Sequence, residues 1–475
     1  MKRRALACLM VAGVLASACG AKGAEDAADK DSATASTDVG STETTAAADT
    51  ASKFGTIESP CGKGSTPATV KADEAGTGTD KLYIGVANDR DSIRPGLLKE
   101  LWDGTNAFVN WCNKQGGIGG LPLEAVDLDG RVLEVEAAMA KACTDVFAIV
   151  GGGYAQDNFM FTGKEGSDFH LCKQIAFPGF AVSTDFAEGS DQVQALPNPA
   201  YKKPTGAFEA LAGLYPDDVE KFGVVFGTLP SIMQNKDQII GVAKQTEGFG
   251  TFAEIGYDII NQDWAVLAQQ VMDQGLRIVS FVGEPPNMSK LSQALKDQGF
   301  DGVLIADANQ YDERLIEASG PDAVEGAIVR IAYHPFEEAD KWPATKQLLD
   351  TLDAEVPDWT RAGLAIQSFS AALMFATAAK TCADAGEISR ACVLQAGLDI
   401  HEWDGGGLHA LADPGAEEPA DCAMLVQVRG GTFERLYPEL GSEADNGEGF
   451  FCSDIVTLTG DFGEGNETSS ILPAS

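Results

Sequence analysis

Basic residues are scarce in this chain: 34 Lys and Arg stand against 71 Asp and Glu, a formal charge of −37 over 475 residues. That argues against a nucleic-acid partner, because phosphate binding is driven by Lys and Arg neutralising the backbone. It also leaves no basic patch to seek anionic lipid. Histidine is scarcer still, with four residues (His170, His334, His401 and His409) scattered along the sequence and no C-x-x-C beside them, so no metal centre is expected. The patterns G-x-S-x-G, H-E-x-x-H, G-x-x-x-x-G-K-[ST] and a strand-linked G-x-G-x-x-G are missing, which removes the common hydrolase, zinc-peptidase and nucleotide-binding signatures. No run beyond the N-terminal leader approaches the ~20 apolar residues of a membrane span. Adjacent carboxylates such as Asp89 with Asp91, or Glu337 with Glu338, read as solvated surface in so acidic a chain. His334, next to Pro335, reads as a loop residue, so catalysis is not expected and no cofactor is implied.

What is present is enough to fold. Hydrophobic residues make up 44% of the chain and aromatics 8%, sufficient for a buried core despite the charge. The first eighteen residues form an export signal: basic Lys2, Arg3 and Arg4, an apolar stretch from Ala5 to Ala16, then Ala16-Ser17-Ala18. Cys19 follows directly, so the segment resembles a bacterial lipoprotein signal with Cys19 acylated. An ordinary A-x-A cleavage site is the alternative. From Gly20 to about Lys53 the chain is built of Ala, Ser, Thr, Asp and Gly, which cannot offset the entropy of ordering. Residues 19–80 are therefore expected to be a flexible tether holding the protein to the membrane only through lipid.

Ten cysteines in an exported chain invite disulfides. Setting aside Cys8 in the leader and Cys19 leaves eight, which allow 105 connectivities. Neighbourhood in sequence suggests Cys61 with Cys112, Cys143 with Cys172, Cys382 with Cys392, and Cys422 with Cys452.

From Leu82 onward, short apolar or β-branched runs alternate with helical patterns, the signature of parallel sheet flanked by helices. Strands are expected at Leu82–Ala87, Leu123–Asp127, Phe147–Val150 and Ile175–Phe177, with helices over about 96–115 and 132–146. After the proline-rich break at Pro197, Pro199 and Pro204 a second series begins: strands at Lys221–Phe226, Thr251–Tyr257, Leu276–Val282, Gly302–Ala306 and Gly326–Tyr333. Between them, Trp264, Leu267, Ala268, Val271 and Met272 mark an amphipathic helix, and Asn287–Gln298 a second. Two long helical stretches (341–353 and 360–385) and a late strand, Cys422–Arg429, follow.

These residues carry a family resemblance. Ile84-Gly85, then Asn113-Lys114-Gln115-Gly116-Gly117-Ile118-Gly119-Gly120, Asp127, Ala148-Ile149-Val150-Gly151, Phe222 to Gly227, Val324-Glu325-Gly326-Ala327 and the Ala-rich segment Ser368 to Ala379 resemble, in order and spacing, the type I periplasmic binding proteins, in particular the branched-chain amino-acid group serving ABC importers. The resemblance spans roughly residues 80 to 460. It implies an α/β fold of two Rossmann-like lobes joined by a three-stranded hinge, lobe one being 81–198 plus 332–408 and lobe two 199–331 plus 409–475. It further implies an extracytoplasmic protein that delivers a small-molecule ligand to importer permease subunits, or a sensor of the same fold that signals to a membrane partner.

Ligands of open α/β sheets sit outside the carboxyl ends of the strands. In lobe one those ends offer Tyr154, Ala155 and Gln156 after Gly151-Gly152-Gly153, whose glycines would let backbone N–H groups approach a ligand, and Gly179, Phe180 and Ala181 after Pro178. In lobe two they offer Leu229, Glu284 and Asp307, the last matching the position that family members set against an α-ammonium. Amino-acid-binding members commonly place a hydroxyl residue just after the lobe-one proline, whereas this chain has Gly179, Phe180 and Ala181. The expected ligand accordingly widens from amino acids to amides, urea-like compounds and small organic acids.

Overall fold

The computed structural model describes residues 53–64, 67–161, 168–465 and 468–473. The leader, Cys19 and the tether up to residue 52 lie outside the described residues. From Leu82 the chain lays down four parallel strands in the spatial order Leu123–Asp129, Leu82–Asn88, Ala148–Val150 and Ala176–Phe177. Every residue of Leu82–Asn88 is buried, as expected of a parallel strand covered by helices on both faces. The helix Lys99–Gln115 starts three residues later than its pattern suggests, because Leu98 adopts a left-handed conformation (φ 57°).

The second half is a larger sheet. Ala253–Tyr257, Phe222–Gly227, Ile278–Val282, Val303–Ala306 and Ile328–Ile331 run parallel in that spatial order. Cys422–Arg429 then joins Ile328–Ile331 antiparallel, and Thr432–Tyr437 pairs outside it. Between these strands in sequence, the helices Pro343–Glu355 and Gly363–Ala385 belong to the first half. Gly363–Ala385 packs on Lys99–Gln115 so closely that a Cβ on Gly104 would lie 2.4 Å from the Ala365 carbonyl oxygen, and Thr105 hydrogen-bonds Ser368 across the contact at 2.8 Å. The late strand therefore has a simple cause: the chain leaves the second half, builds two helices on the first, and returns. On the outward and return passages the His334 N–H meets the Leu408 carbonyl at 3.0 Å and the Ala410 N–H meets the Ala332 carbonyl at 2.8 Å.

The expected tether is corrected over its second part. Its low-complexity composition ends near Lys53, and from there the chain is strapped to the first half. Phe54 is fully buried against Phe369 and Trp111, with ring centroids 4.8 and 5.7 Å away, and Thr69–Val70 pairs with Glu387–Ile388. A disulfide joins Cys61 to Cys112, and the others join Cys143 to Cys172, Cys382 to Cys392 and Cys422 to Cys452. No helix among the described residues is long and apolar enough to cross a membrane.

Candidate functional site

Between the carboxyl ends of the two sheets lies a cavity of about 420 Å³, within the size range of small-molecule sites. Its walls are largely apolar: Ile93, Leu97, Phe180 and Val182 from the first half, and Leu229, Ile232, Ile239 and Ile259 from the second. Ala155, Gly179, Phe180, Ala181, Leu229, Glu284 and Asp307, all expected from sequence, are among the lining residues.

Tyr154 and Gln156 are not. Tyr154 is fully buried, its hydroxyl donating to the Leu128 carbonyl at 2.8 Å, and the Gln156 amide donates to the Val132 carbonyl at 3.2 Å. Both brace the loops behind the wall. The three preceding glycines likewise serve packing. The N–H groups of Gly151 and Gly153 are taken by Phe177 and Ala87, and a Cβ on Gly152 would lie 2.2 Å from the Ala87 nitrogen.

Two carboxylates, of which Asp89 reads as a surface group in sequence, hold the wall in place. Asp89 is fully buried and accepts from the N–H groups of Val132 (2.6 Å) and Ala155 (2.8 Å), both of which line the cavity. Asp157, also fully buried, accepts from Val182 (2.7 Å) and Ser183 (2.9 Å). Burial pushes each carboxyl up to about 6, against the pull of those backbone donors. Glu338 is another correction: it is buried and pairs with Arg435 at 2.6 Å. His334 is buried too, stacked on Trp342 at 3.8 Å, and burial lowers its pKa to about 3.

Four cations line the cavity among the described residues: Arg94, Lys203, Arg314 and Arg330. Three are neutralised. Arg94, in the loop before Lys99–Gln115, reaches across the cleft to Glu284 (2.5 Å) and Asn287 (3.3 Å) at the start of the helix Pro285–Asp297. In the opposite sense, Arg314 reaches back to Glu100 (2.7 Å) and the Gly96 carbonyl (2.7 Å) while also holding Asp312. Ser231 adds a third link, donating to the Ala155 carbonyl at 2.7 Å. These contacts tie the two walls together, so the cleft is closed in this structure. Arg330 pairs with Asp307 at 3.0 Å, and the same Asp307 oxygen caps the Ala308 N–H at 2.9 Å. The carboxylate expected to face a ligand ammonium is therefore already occupied by a guanidinium.

Lys203 differs. It lies on the first crossing between the halves, in the short strand Lys202–Pro204 that pairs with Ile455–Thr457, and its ammonium donates to the Asn198 side-chain oxygen at 2.6 Å. The Asn198 amide is itself fixed by donating to the Ala181 carbonyl at 3.0 Å. Lys203 has no ion pair among the described residues, and burial pulls its pKa down to about 7, with Asp307 the main opposing charge. Sequence reasoning passed over it because Lys202 and Lys203 lie in the proline-rich break that ends at Pro204.

The sequence matches the profile of the periplasmic binding protein family over residues 81–432. The chain belongs to that family. Solved structures place this binding protein in the type I fold. It is similar to a fatty acid ABC transporter substrate-binding protein from Thermomonospora curvata (TM-score 0.66, 15% identity, 79% of this chain and 95% of that one). It is also similar to the branched-chain amino acid transporter substrate-binding protein LivJ from Streptococcus pneumoniae, solved with isoleucine (TM-score 0.61, 13% identity, 75% and 100%). A third likeness is to the leucine-binding protein LivK from Thermotoga maritima (TM-score 0.58, 17% identity, 75% and 97%). No curated protein matches the chain.

Proposed function

We propose that this binding protein captures, outside the cytoplasm, a solute with a substantial apolar body and delivers it to the permease subunits of an ABC importer. The observation that carries this reading is the lining of the closed cleft, where aliphatic and aromatic side chains from both halves face a common volume. At about 0.8 kcal/mol per buried CH₂, an eight-carbon chain would gain roughly 6 kcal/mol there before the cost of immobilisation. The likeness to a protein titled for fatty acids supports an apolar ligand. So does the absence of a hydroxyl residue in Gly179-Phe180-Ala181, which shifts the expectation away from a free amino acid.

On this reading the lobes are 81–198 plus 332–408 and 199–331 plus 409–475, closing about the three crossings, and the protein is held at the membrane by an acylated Cys19 after removal of residues 1–18. Calorimetric titration with straight-chain compounds of increasing length, beside leucine and acetamide, tests the ligand reading. Affinity should rise with chain length. Tight binding of leucine or acetamide with no response to any alkyl chain would overturn it.

A further inference from the structure

We propose that Lys203 is the anchor for an anionic head group, which makes the ligand of this cleft a carboxylate with an apolar body. The inference rests on the reading that the cleft takes an apolar-bodied solute, and adds the polar end of that solute.

The argument is one of charge accounting inside the cavity. Arg94, Arg314 and Arg330 each hold a carboxylate of the protein, so none has a full positive charge to offer. Lys203 alone among the lining cations meets only a neutral partner, Asn198. An ammonium carries three donors, and only one of these has an acceptor among the described residues. Lys203 is half-buried, and desolvating a cation that has no directly bonded counter-charge is costly, in keeping with the lowered pKa of this side chain. A carboxylate arriving beside it would supply the missing charge and accept the remaining donors in a charge-assisted bond.

The surroundings set the ligand's charge. Lys203 and Arg330 face Asp307, with Glu188 within electrostatic reach. A single negative charge balances Lys203, whereas a dianion would be opposed by Asp307 and Glu188. A ligand ammonium would be repelled by Lys203 and would find Asp307 already bridged to Arg330. Lys203 lies on a crossing segment between the halves, where the head group would sit at the base of the cleft beside the apolar walls.

The test compares alkyl carboxylates from hexanoate to hexadecanoate with the corresponding alcohols and alkylammonium ions, by calorimetry on the full-length mature protein. Wild type should prefer decanoate to decan-1-ol by roughly 30-fold or more, the size expected for a buried charge pair, and should bind decylammonium weakest. In Lys203→Met, decanoate should bind no better than decan-1-ol; Lys203→Arg should keep the preference for the acid. Equal binding of acid and alcohol by wild type would overturn the inference while leaving the apolar-ligand reading standing. A preference for acid retained in Lys203→Met would do the same. If neither acids nor alcohols of any length bind, the apolar-ligand reading fails and this inference falls with it. The wild-type comparison requires no variant to fold.

Discussion

Breaking the Arg94–Glu284 clasp should weaken ligand binding without unfolding either half. The two side chains are 22% and 20% exposed and 2.5 Å apart, and they come from opposite walls of the cleft, so on the proposed two-lobe closure the pair forms only when the walls meet. Two unit charges about 4 Å apart at an effective dielectric near 20 attract by about 4 kcal/mol. Partial exposure and the cost of desolvating both groups reduce that, leaving a net contribution of about 1–2 kcal/mol to closure. Because ligand affinity includes the free energy of closing, Arg94→Met or Glu284→Gln should each lower affinity by roughly 5- to 30-fold. The double variant should lose little more than either single one, since the interaction can be removed only once. Calorimetry of all four proteins with one alkyl carboxylate, together with small-angle scattering to follow compaction on ligand addition, measures both effects. Strictly additive losses, or single variants that bind as wild type does, would refute the assignment of the pair to closure.

Other consequences can be checked in the same way. Asp89 and Asp157 have folded-state pKa values raised by burial to about 6, so the folded protein holds protons that the unfolded chain releases. Stability should fall as pH rises from about 4 to about 6, on the order of 1 kcal/mol per pH unit for each proton involved. Thermal melts of wild type and Asp89→Asn should show the slope flattening in the variant; identical slopes would remove Asp89 from the account. Phe54→Ala empties a fully buried site under the strap and should cost about 3 kcal/mol or more. Denaturant titration showing a loss below 1 kcal/mol would mean that the strap is dispensable. If Cys19 is acylated, Cys19→Ala should move the protein from the membrane fraction to the soluble one, and unchanged partitioning would contradict the anchor.

Much of the fold could be read in advance because its causes are local. The buried run Leu82–Asn88 needs no distant information, whereas the placement of Cys422–Arg429 with the second half came from the family resemblance and not from local pattern. The disulfides join neighbours in sequence, the widest separation being 51 residues. The cleft has no such local signature. Leu97, Phe180, Ile232 and Ile259 are far apart in the chain, and no periodicity marks them as one apolar surface. Strand ends pointed to the right loops but not to the direction of each side chain, so Ala155 reaches the cavity while Tyr154 and Gln156 turn into the core. Asp89 was hidden for another reason: in a chain with 71 acidic residues, a carboxylate that accepts two backbone N–H groups looks like any other until the loops of Val132 and Ala155 fold over it.

The most direct test is to identify the solute that the mature protein carries. Protein purified without added ligand, unfolded mildly and extracted, should release a near-stoichiometric compound that mass spectrometry identifies as a carboxylic acid with an extended alkyl or aryl body, and re-adding it should restore the closed form. Stoichiometric release of a small polar solute, such as a free amino acid or an amide, would contradict the account.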